Sequence, residues 1–177
     1  FGDTPIQSAY LIDAADFVQC SNPSYITRYN MTGDIKENGT FLFNTSAPAD
    51  KAFATLTREM QETIVKKNVK FYVVDALKVA LEVGSPKYIS TIMQTCFFHL
   101  SGVIPSDEAI GYIKEAIKKT YGKKGDEVVA KNIQAVDASL ANLYEVPLGS
   151  TITGHELPPA LAPGAPAFVR DVLGKIV

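Results

Sequence analysis

The stretch that decides the fold begins with Thr40-Phe41-Leu42-Phe43-Asn44 and closes with Val69-Lys70-Phe71-Tyr72-Val73-Val74, with a helical pattern over residues 50–67 between them. Both short runs are rich in aromatic and β-branched residues, which predicts buried strands. A strand, a helix and a second strand in this order indicate a βαβ crossover between parallel strands. The apolar residues of the helix recur every three or four positions, as one helix face requires: Phe53, Leu56, Met60 and Ile64.

Upstream of this unit the sequence predicts short strands at 9–12 and 17–20, followed by a turn and a short helix over 24–29. The glycine-bounded segment 33–39 predicts a single helical turn that is closed by a residue in the left-handed conformation. Apolar strands that alternate with helices predict an α/β fold, namely a layered α/β/α domain whose parallel or mixed sheet is covered on both faces.

Downstream of the second strand the sequence predicts a helical C-terminal half. Helices are expected over 76–83, 88–100, 105–121 and 126–144, with Ser106 as the cap of the third. The second of them is apolar on most sides, so we expect it to be buried. The inner faces of the last two are predicted to contain Ala109, Ile110, Ile113, Ala116 and Ile117, and then Val129, Ile133, Val136, Leu140 and Leu143.

The composition changes at Pro147. Proline and glycine recur closely from there to Pro166, which is typical of an extended arm or an interdomain linker. We therefore expect an α/β domain over residues 1–146 and a Pro-rich linker or arm over 147–177. The last part of that arm, 167–177, is compatible with a short helix.

The overall composition excludes several function classes. Hydrophobic residues make up 46% of the 177 residues, charged residues make up 20%, and the formal net charge is −2. We therefore expect no bulk attraction to nucleic acid or to a membrane surface. No apolar run reaches the roughly 18 residues of a membrane-spanning helix, and no export signal is recognisable. These features predict a cytoplasmic protein in which Cys20 and Cys96 are buried free thiols. Because the first residue is Phe1 and not Met, we interpret the chain as processed or as part of something longer.

Two asparagines are the candidate cofactor-binding residues. Asn22 and Asn44 each follow a predicted strand, at the carboxyl end where open α/β sheets bind ligands. The alternative is turn and cap chemistry, with Asn22 or Ser24 capping the short helix that follows. Asp75 also ends a strand, and its simplest role is to cap the next helix.

Two lysines are the candidate contacts for an anion or an acidic partner. Lys123 and Lys124 lie between Gly122 and Gly125, in a turn that resembles part of a phosphate-binding loop but follows a helix and not a strand. The alternative is a solvated turn between helices. His99 is expected to be a satisfied core or interface histidine, and His155 to be exposed. The sequence offers no catalytic residue and no metal ligands at a recognisable spacing.

Several blocks, in order along residues 5–146, resemble the pyruvate:ferredoxin (flavodoxin) oxidoreductase family. They are Tyr10-Leu11-Ile12, Asp16-Phe17-Val18, Asn22-Pro23-Ser24-Tyr25, Gly39-Thr40-Phe41-Leu42, Lys70-Phe71-Tyr72-Val73-Val74-Asp75-Ala76, Met93-Gln94-Thr95-Cys96-Phe97-Phe98, Thr120-Tyr121-Gly122-Lys123-Lys124-Gly125 and Asn132-Ile133-Gln134-Ala135-Val136-Asp137. The resemblance is to the middle, gamma-type α/β domain. Family members usually begin that domain with a Gly-rich strand–turn–helix, and this chain starts after it.

The resemblance implies a function for the whole enzyme. Such enzymes oxidatively decarboxylate a 2-oxoacid such as pyruvate with coenzyme A, use thiamine diphosphate and iron–sulfur clusters, and pass electrons to ferredoxin or flavodoxin. The full enzyme is expected to be a homodimer in the cytoplasm, or in an organelle of an anaerobic eukaryote. None of the family's catalytic motifs lies in this chain, so no cofactor is expected to bind within it. The implied role is a scaffold, close to coenzyme A, that contacts the remaining domains or subunits.

Two further hypotheses remain open at this point. The chain is either a stand-alone α/β module that binds an anionic metabolite near Asn22 and Asn44, or a purely structural assembly domain. Under the enzyme hypothesis, a domain that lacks its first strand and helix exposes a sheet edge and apolar surface. We therefore expect the chain to need the rest of its polypeptide, or a partner subunit, to be stable.

Overall fold

The protein is described by a computed structural model that covers residues 5, 12–84, 86–149, 151–157, 161–162, 164–172 and 174. Its sheet contains β1 (Ala15–Cys20), β2 (Ile35–Asn44), β3 (Lys70–Val74) and β4 (Leu143–Glu145), arranged in that order. β1, β2 and β3 are parallel, and β4 is antiparallel to β3. The predicted α/β class with a parallel or mixed sheet is confirmed.

Seven α-helices accompany the sheet in the described residues. They are α1 (Ala49–Ala52), α2 (Arg58–Lys66), α3 (Ala76–Glu82), α4 (Ile89–Ser101), α5 (Ser106–Tyr121), α6 (Asp126–Ala141) and α7 (Ala167–Asp171). Short 3-10 helices lie at Pro23–Thr27, Phe53–Thr55, Pro86–Tyr88 and Gly122–Lys124. None of the described helices is long and apolar enough to cross a bilayer.

One face of the sheet, here called the α2 face, is covered by α1, the 3-10 turn after it, and α2. Phe41, Phe43 and Phe71 are almost fully buried there, and their rings stack with centroids 5.3 and 6.1 Å apart. The predicted helical stripe packs on these rings, and all of its members are buried: Phe53, Leu56, Met60 and Ile64. Burial of so much aromatic area makes this face a main source of stability.

The opposite face, here called the α4 face, is covered by α3, α4 and α6. Its core joins Leu42 and Val74 of the sheet to the buried sides of these helices, including Ile92, Met93 and Cys96. α5 packs outside this layer, where Ile113 and Ile117 meet Val136 of α6. The order α2 face, sheet, α4 face is the predicted α/β/α layering.

The predicted continuous helix over 50–67 is wrong, because the chain breaks it before Arg58. Leu56 has an extended backbone with ψ of 157°, and the hydroxyl of Thr57 accepts a hydrogen bond from the N–H of Met60 at 3.5 Å. Thr57 therefore acts as an N-cap and starts a new helix. The apolar stripe survives the break because Leu56 still points into the core.

The predicted helical turn over 33–39 is also wrong, since β2 already begins at Ile35. Between the paired residues Ala15–Ile35 and Phe17–Thr40, β2 advances by five residues while β1 advances by two, so β2 forms a bulge there. The left-handed residue is Asn38, with φ of 58°, and not Gly39. Gly39 is required for a different reason: a Cβ there would lie 2.8 Å from the side chain of Ile35.

The C-terminal half departs from the predictions at two points. α6 ends at Ala141, and the chain then forms β4, whose backbone groups are satisfied by pairing with β3. Ser106 lies inside the first turn of α5, and its hydroxyl does not cap the helix. The short helix predicted at the C-terminus is α7. Most of the strand predicted at 9–12 falls outside the described residues, and Ile12 is exposed.

Candidate functional site

The carboxyl edge of the sheet contains a topological switch between β2 and β3. The chain leaves β2 toward α1 on the α2 face, but it leaves β3 toward α3 on the α4 face. When the connections after two neighbouring strands run to opposite faces of the sheet, a crevice forms between them. Open α/β sheets bind ligands in such a crevice. A cavity of about 250 Å³ lies there, and its polar lining comes mainly from Thr45, Ser46, Asp75, Lys78, Asn142 and Tyr144.

Asn44 lies at this switch but uses its carboxamide to hold the sheet together. Its Nδ2 donates to the carbonyl of Ser21 at 2.9 Å, and its Oδ1 accepts from the N–H of Ala76 at 3.0 Å. The side chain is 7% exposed. The carboxamide of Asn44, at the end of β2, therefore links the end of β1 to the start of α3. A ligand that contacted this carboxamide would have to share it with these two hydrogen bonds.

Asn22 lies at the end of β1 and caps the short helix that follows. Its Oδ1 accepts hydrogen bonds from the N–H and the hydroxyl of Ser24, at 3.1 and 3.0 Å. The residue is exposed, so its remaining amide hydrogens face solvent. Asp75 has the simple capping role, since its carboxylate accepts from the N–H of Lys78 at 2.9 Å.

A larger cavity of about 580 Å³, here called the edge groove, lies between β1 and the first turns of α4. Its apolar wall is formed by Ile89, Met93 and Phe97, together with Pro86. Its polar groups come from Gln19, Ser21, Lys87, Ser90 and Gln94. Among the described strands, β1 pairs only with β2, so the groove runs beside the edge of β1 that no described strand covers.

A third cavity, here called the lysine groove, extends from the edge groove toward α6. Its volume is about 420 Å³, and it is lined by Lys87, Tyr88, Tyr121, Lys124, Val128 and Asn132. The Nζ of Lys124 lies 5.3 Å from the centroid of the Tyr121 ring, a cation–π contact that holds the ammonium at the rim. Lys123 is exposed in the same turn but does not line this cavity. Of the two predicted lysines, the structure places Lys124 beside a second cation.

The titratable groups of the described residues form no catalytic arrangement. Burial raises the pKa of the Cys20 thiol to about 11 and that of Cys96 to about 12, so both stay protonated at neutral pH. His99 is exposed, and its Nδ1 lies 2.8 Å from the hydroxyl of Ser106, but no described carboxylate orients the ring. His155 is exposed, as predicted. No group of three potential metal ligands comes together among these residues.

Sequence reasoning missed Gln19, Lys87, Ser90 and Gln94, which supply the polar side of the edge groove. A signal for the last three was present. They recur three and four residues apart at the start of an otherwise apolar helix, so they share one side of it. Gln19 had no such signal, because only the packing of α4 against β1 brings it to the groove.

The fold and its carboxyl edge define a layered α/β domain that offers binding surface, and the described residues contain no oriented catalytic triad. The sequence profile of the pyruvate ferredoxin/flavodoxin oxidoreductase family matches residues 1–141. The chain therefore belongs to this family.

The chain is also similar to curated proteins along nearly its whole length. It is 45% identical over 172 residues to a pyruvate-flavodoxin oxidoreductase of Rhodospirillum rubrum, which covers 97% of this chain and 14% of the relative. It is 46% identical over 177 residues to a pyruvate:ferredoxin oxidoreductase of Moorella thermoacetica, which covers 99% of this chain and 15% of the relative. The chain thus spans about a seventh of the length of these relatives.

A solved structure shares the fold. The crystal structure of the pyruvate oxidoreductase subunit PORC from Thermotoga maritima matches with a TM-score of 0.54 and 22% identity. The match covers 75% of this chain and 66% of that subunit. This likeness supports the layered α/β architecture.

Proposed function

We propose that this chain is the gamma-type scaffold domain of a pyruvate:ferredoxin or pyruvate:flavodoxin oxidoreductase. The whole enzyme would oxidatively decarboxylate pyruvate with coenzyme A to acetyl-CoA and CO₂, and would pass the electrons to ferredoxin or flavodoxin. The observation that carries the proposal is the identity of 45–46% along 97–99% of the chain to proteins of that name, within which it makes up 14–15%. A segment embedded in this way acts as one part of a larger polypeptide or assembly.

The residues present do not fit the cofactors that the family implies. An iron–sulfur cluster needs about four cysteine thiolates, whereas this chain has two cysteines, and they lie buried and protonated on opposite faces of the sheet. No thiamine-binding motif is present in the sequence. Thiamine diphosphate and the clusters would therefore be held by other parts of the enzyme, and this domain would contribute shape and position.

The edge of β1 that no described strand covers is the surface that we expect to contact those other parts. The edge groove beside it has the apolar wall formed by Ile89, Met93 and Phe97, and the side chain of Phe17 on β1 packs edge-to-face on Phe97 at 5.1 Å. An unpaired strand edge next to apolar surface is a liability unless it is covered. We therefore expect residues 1–177 alone to be unstable, and a sharp melting transition of the isolated monomer would contradict this scaffold role.

Coenzyme A is expected to approach the side of this domain where the edge groove and the lysine groove meet. Lys87 lines both grooves and Lys124 lines one of them, so two basic residues bring positive charge to a space in which an anionic phosphate would be favoured. Asn22 and Ser21 follow β1 at the same edge and offer short polar groups. We propose Asn22, Asn44, Lys123 and Lys124 only as contacts on this approach, with no part in the chemistry.

The test uses the full polypeptide that contains this chain, purified anaerobically. We expect iron–sulfur absorbance and pyruvate-dependent reduction of viologen that requires coenzyme A. Lys87→Gln and Lys124→Gln should raise KM for coenzyme A by about tenfold in combination, because two charge contacts are lost, and should leave kcat nearly unchanged. Lys66→Gln, an exposed lysine at the end of α2, is the matched control.

The possible outcomes separate the parts of the proposal. Absence of both cluster absorbance and pyruvate-dependent reduction would reject the enzyme assignment. Normal activity with an unchanged KM in the lysine variants would reject only the proximity to coenzyme A. A homodimeric mass of the full enzyme would support the oligomer that we expect, and we expect its location to be the cytoplasm or an organelle of an anaerobic eukaryote.

A binding module for an anionic metabolite is the second candidate function, and the lysine groove is the observation that favours it. Two lysines, two tyrosines and Asn132 border one cavity of about 420 Å³. Titration of the full polypeptide with coenzyme A and with pyrophosphate, followed by calorimetry, distinguishes the cases. Tight binding of both without pyruvate-dependent turnover would favour the module, and binding of neither would favour a purely structural assembly domain.

A further inference from the structure

Residues 151–157, here called the exit strap, lie against the α2 face. The chain leaves β4 through Val146, which is 3% exposed and whose N–H donates to the carbonyl of Phe71 at 2.8 Å. Farther along, Ile152 packs on the same core and Gly154 is buried. The part of the Pro-rich arm that the structure describes here is thus in contact with the α/β unit.

Gln61 of α2 connects the strap to the helix layer through three side-chain hydrogen bonds. The residue is fully buried. Its Oε1 accepts from the N–H groups of Thr153 and Gly154, both at 2.8 Å, and its Nε2 donates to the carbonyl of Phe53 at 2.7 Å. The two backbone donors and the backbone acceptor fix the orientation of the carboxamide, because the reverse orientation would place donor against donor.

The strap also fits the break between the first helical segments and α2. The N–H of Arg58, which begins α2 and has no partner within that helix, donates to the carbonyl of His155 at 2.9 Å. A Cβ at Gly154 would lie 2.5 Å from both the carbonyl oxygen of Leu56 and the nitrogen of Arg58. Only glycine lets the two main chains approach this closely.

We propose that Gln61 and Gly154 form a latch that fixes the exit strap to α2, so that the α/β unit extends through residue 157. Gln61 recognises main chain only, and Gly154 gives the strap the space to reach it. The ion pair between Arg58 and Glu156 is 3.9 Å long and largely exposed, so it adds little. Release of the latch frees the strap without unfolding the sheet.

Hydrogen exchange followed by mass spectrometry on the full polypeptide tests the latch. In the unaltered protein the peptide that covers 149–157 should show slow exchange at Thr153 and Gly154. Gly154→Ala should speed exchange of these amides on the order of 100-fold, because the added Cβ forces the strap away from Leu56 and Arg58. Gly111→Ala is the control, since a Cβ at Gly111 meets nothing within 4 Å. It should leave the strap unchanged.

Gln61→Met provides a second variant, because it keeps the size of the side chain and removes the acceptor. It should also release the strap, while the amides of β2 and β3 keep their protection. Fast exchange of the strap in the unaltered protein would overturn the proposal, as would an unchanged strap in Gly154→Ala. Loss of protection at both the β3 amides and the strap amides in both variants would also overturn the proposal, because the strap could then not be released without unfolding the core.

Discussion

The two faces of the sheet are covered in different ways. On the α2 face, three stacked phenylalanines meet short helical segments, and a strap of main chain closes over a buried glutamine. On the α4 face the covering helices are longer, yet the edge groove and the lysine groove remain open beside α4. Helix length therefore does not decide how well a sheet is covered.

The difference follows from what each face packs against. The α2 face is closed by segments of this chain that hydrogen-bond to one another at the break before α2, over a core of fully buried side chains. On the α4 face, Phe97 of α4 is only half-buried, because it lines the edge groove beside β1. We infer that the α2 face supplies most of the stability, and that the α4 face supplies the surface for the rest of the enzyme.

The largest expected effect on stability comes from removing one phenylalanine ring from each face of the sheet. Phe71→Ala should lower the free energy of unfolding by about 3–5 kcal/mol, because it removes a buried ring and leaves a cavity. Phe97→Ala should cost less, about 2 kcal/mol, because this ring packs on Phe17 and Phe98 but is only partly buried. Native-state hydrogen exchange of β2 and β3 amides in the full polypeptide measures both. Equal losses would show that the α4 face is covered as tightly as the α2 face.

The next effect concerns the two asparagines at the carboxyl edge. Asn44→Ala should cost about 1–3 kcal/mol, because the carbonyl of Ser21 and the N–H of Ala76 lose their buried partner. Asn22→Ala removes a cap from an exposed short helix and should cost about 0.5–1 kcal/mol. The same exchange experiment applies. If Asn44→Ala lowered the stability less than Asn22→Ala does, water would have replaced the hydrogen bonds of Asn44 to Ser21 and Ala76.

The two thiols give a comparison that depends on pH. Cys20 lies on the α2 face and Cys96 on the α4 face, and burial raises their pKa values from 9.0 to about 11 and about 12. Because the folded state holds these protons more tightly, their contribution to stability is complete below pH 9. It is lost as the pH rises from there toward about 11 or 12, since only the unfolded thiols ionise.

Alkylation by iodoacetamide in the full polypeptide measures this difference. Neither thiol should react in the native protein at pH 8, and both should react after unfolding in urea, because the reactive form is the thiolate. Cys96→Ala should reduce the fall in stability above pH 9 more than Cys20→Ala does. Ready alkylation of native Cys96 would show that the α4 face opens to solvent.

The smallest effect lies on the outer surface of α6. Lys131 donates to the carboxylate of Glu127 at 2.7 Å, and this hydrogen bond lowers the pKa of Glu127. In Lys131→Ala we expect the pKa of Glu127 to return toward its ordinary value, with little change in stability, because both groups are exposed. An NMR titration of the Glu127 carboxyl in the full polypeptide measures the shift. An unchanged pKa would assign the cause to another group.

Much of the fold followed from local patterns. The strands at 40–44 and 69–74 lie where their aromatic and β-branched residues predicted them, and the apolar stripe of Phe53 to Ile64 lies where its 3.6-residue period placed it. The same patterns missed the break at Leu56, since the stripe does not depend on whether the helix is continuous. They also missed β4, whose three residues pair only because β3 is within reach.

The buried residues of α6 lie on two sides of the helix, and only one side belongs to the predicted apolar stripe. Val129, Ile133 and Val136 belong to the predicted stripe and pack toward α5. The most buried residues on the other side are Ala135 and the polar residues Asn132 and Ser139, and no apolar rule selects the last two. Ser139 and Asn132 can be buried because their side chains donate to carbonyls one turn earlier, at 2.6 and 2.8 Å.

The candidate site was predictable only in part. The carboxyl edge and Lys124 could be named from the sequence, because strand order and glycine-bounded turns are local features. The pairing of Lys124 with Lys87 across one groove required the tertiary structure, as did the bridging role of Asn44.

The sequence by itself determined the α/β class, the buried stripes, the family and the lack of recognisable catalytic motifs, since each rests on the identity and spacing of nearby residues. The tertiary structure alone decided which face is closed, where the grooves lie, and that Gln61 holds a segment more than 90 residues later. Contacts between distant residues depend on how the layers pack, and no local period specifies that packing.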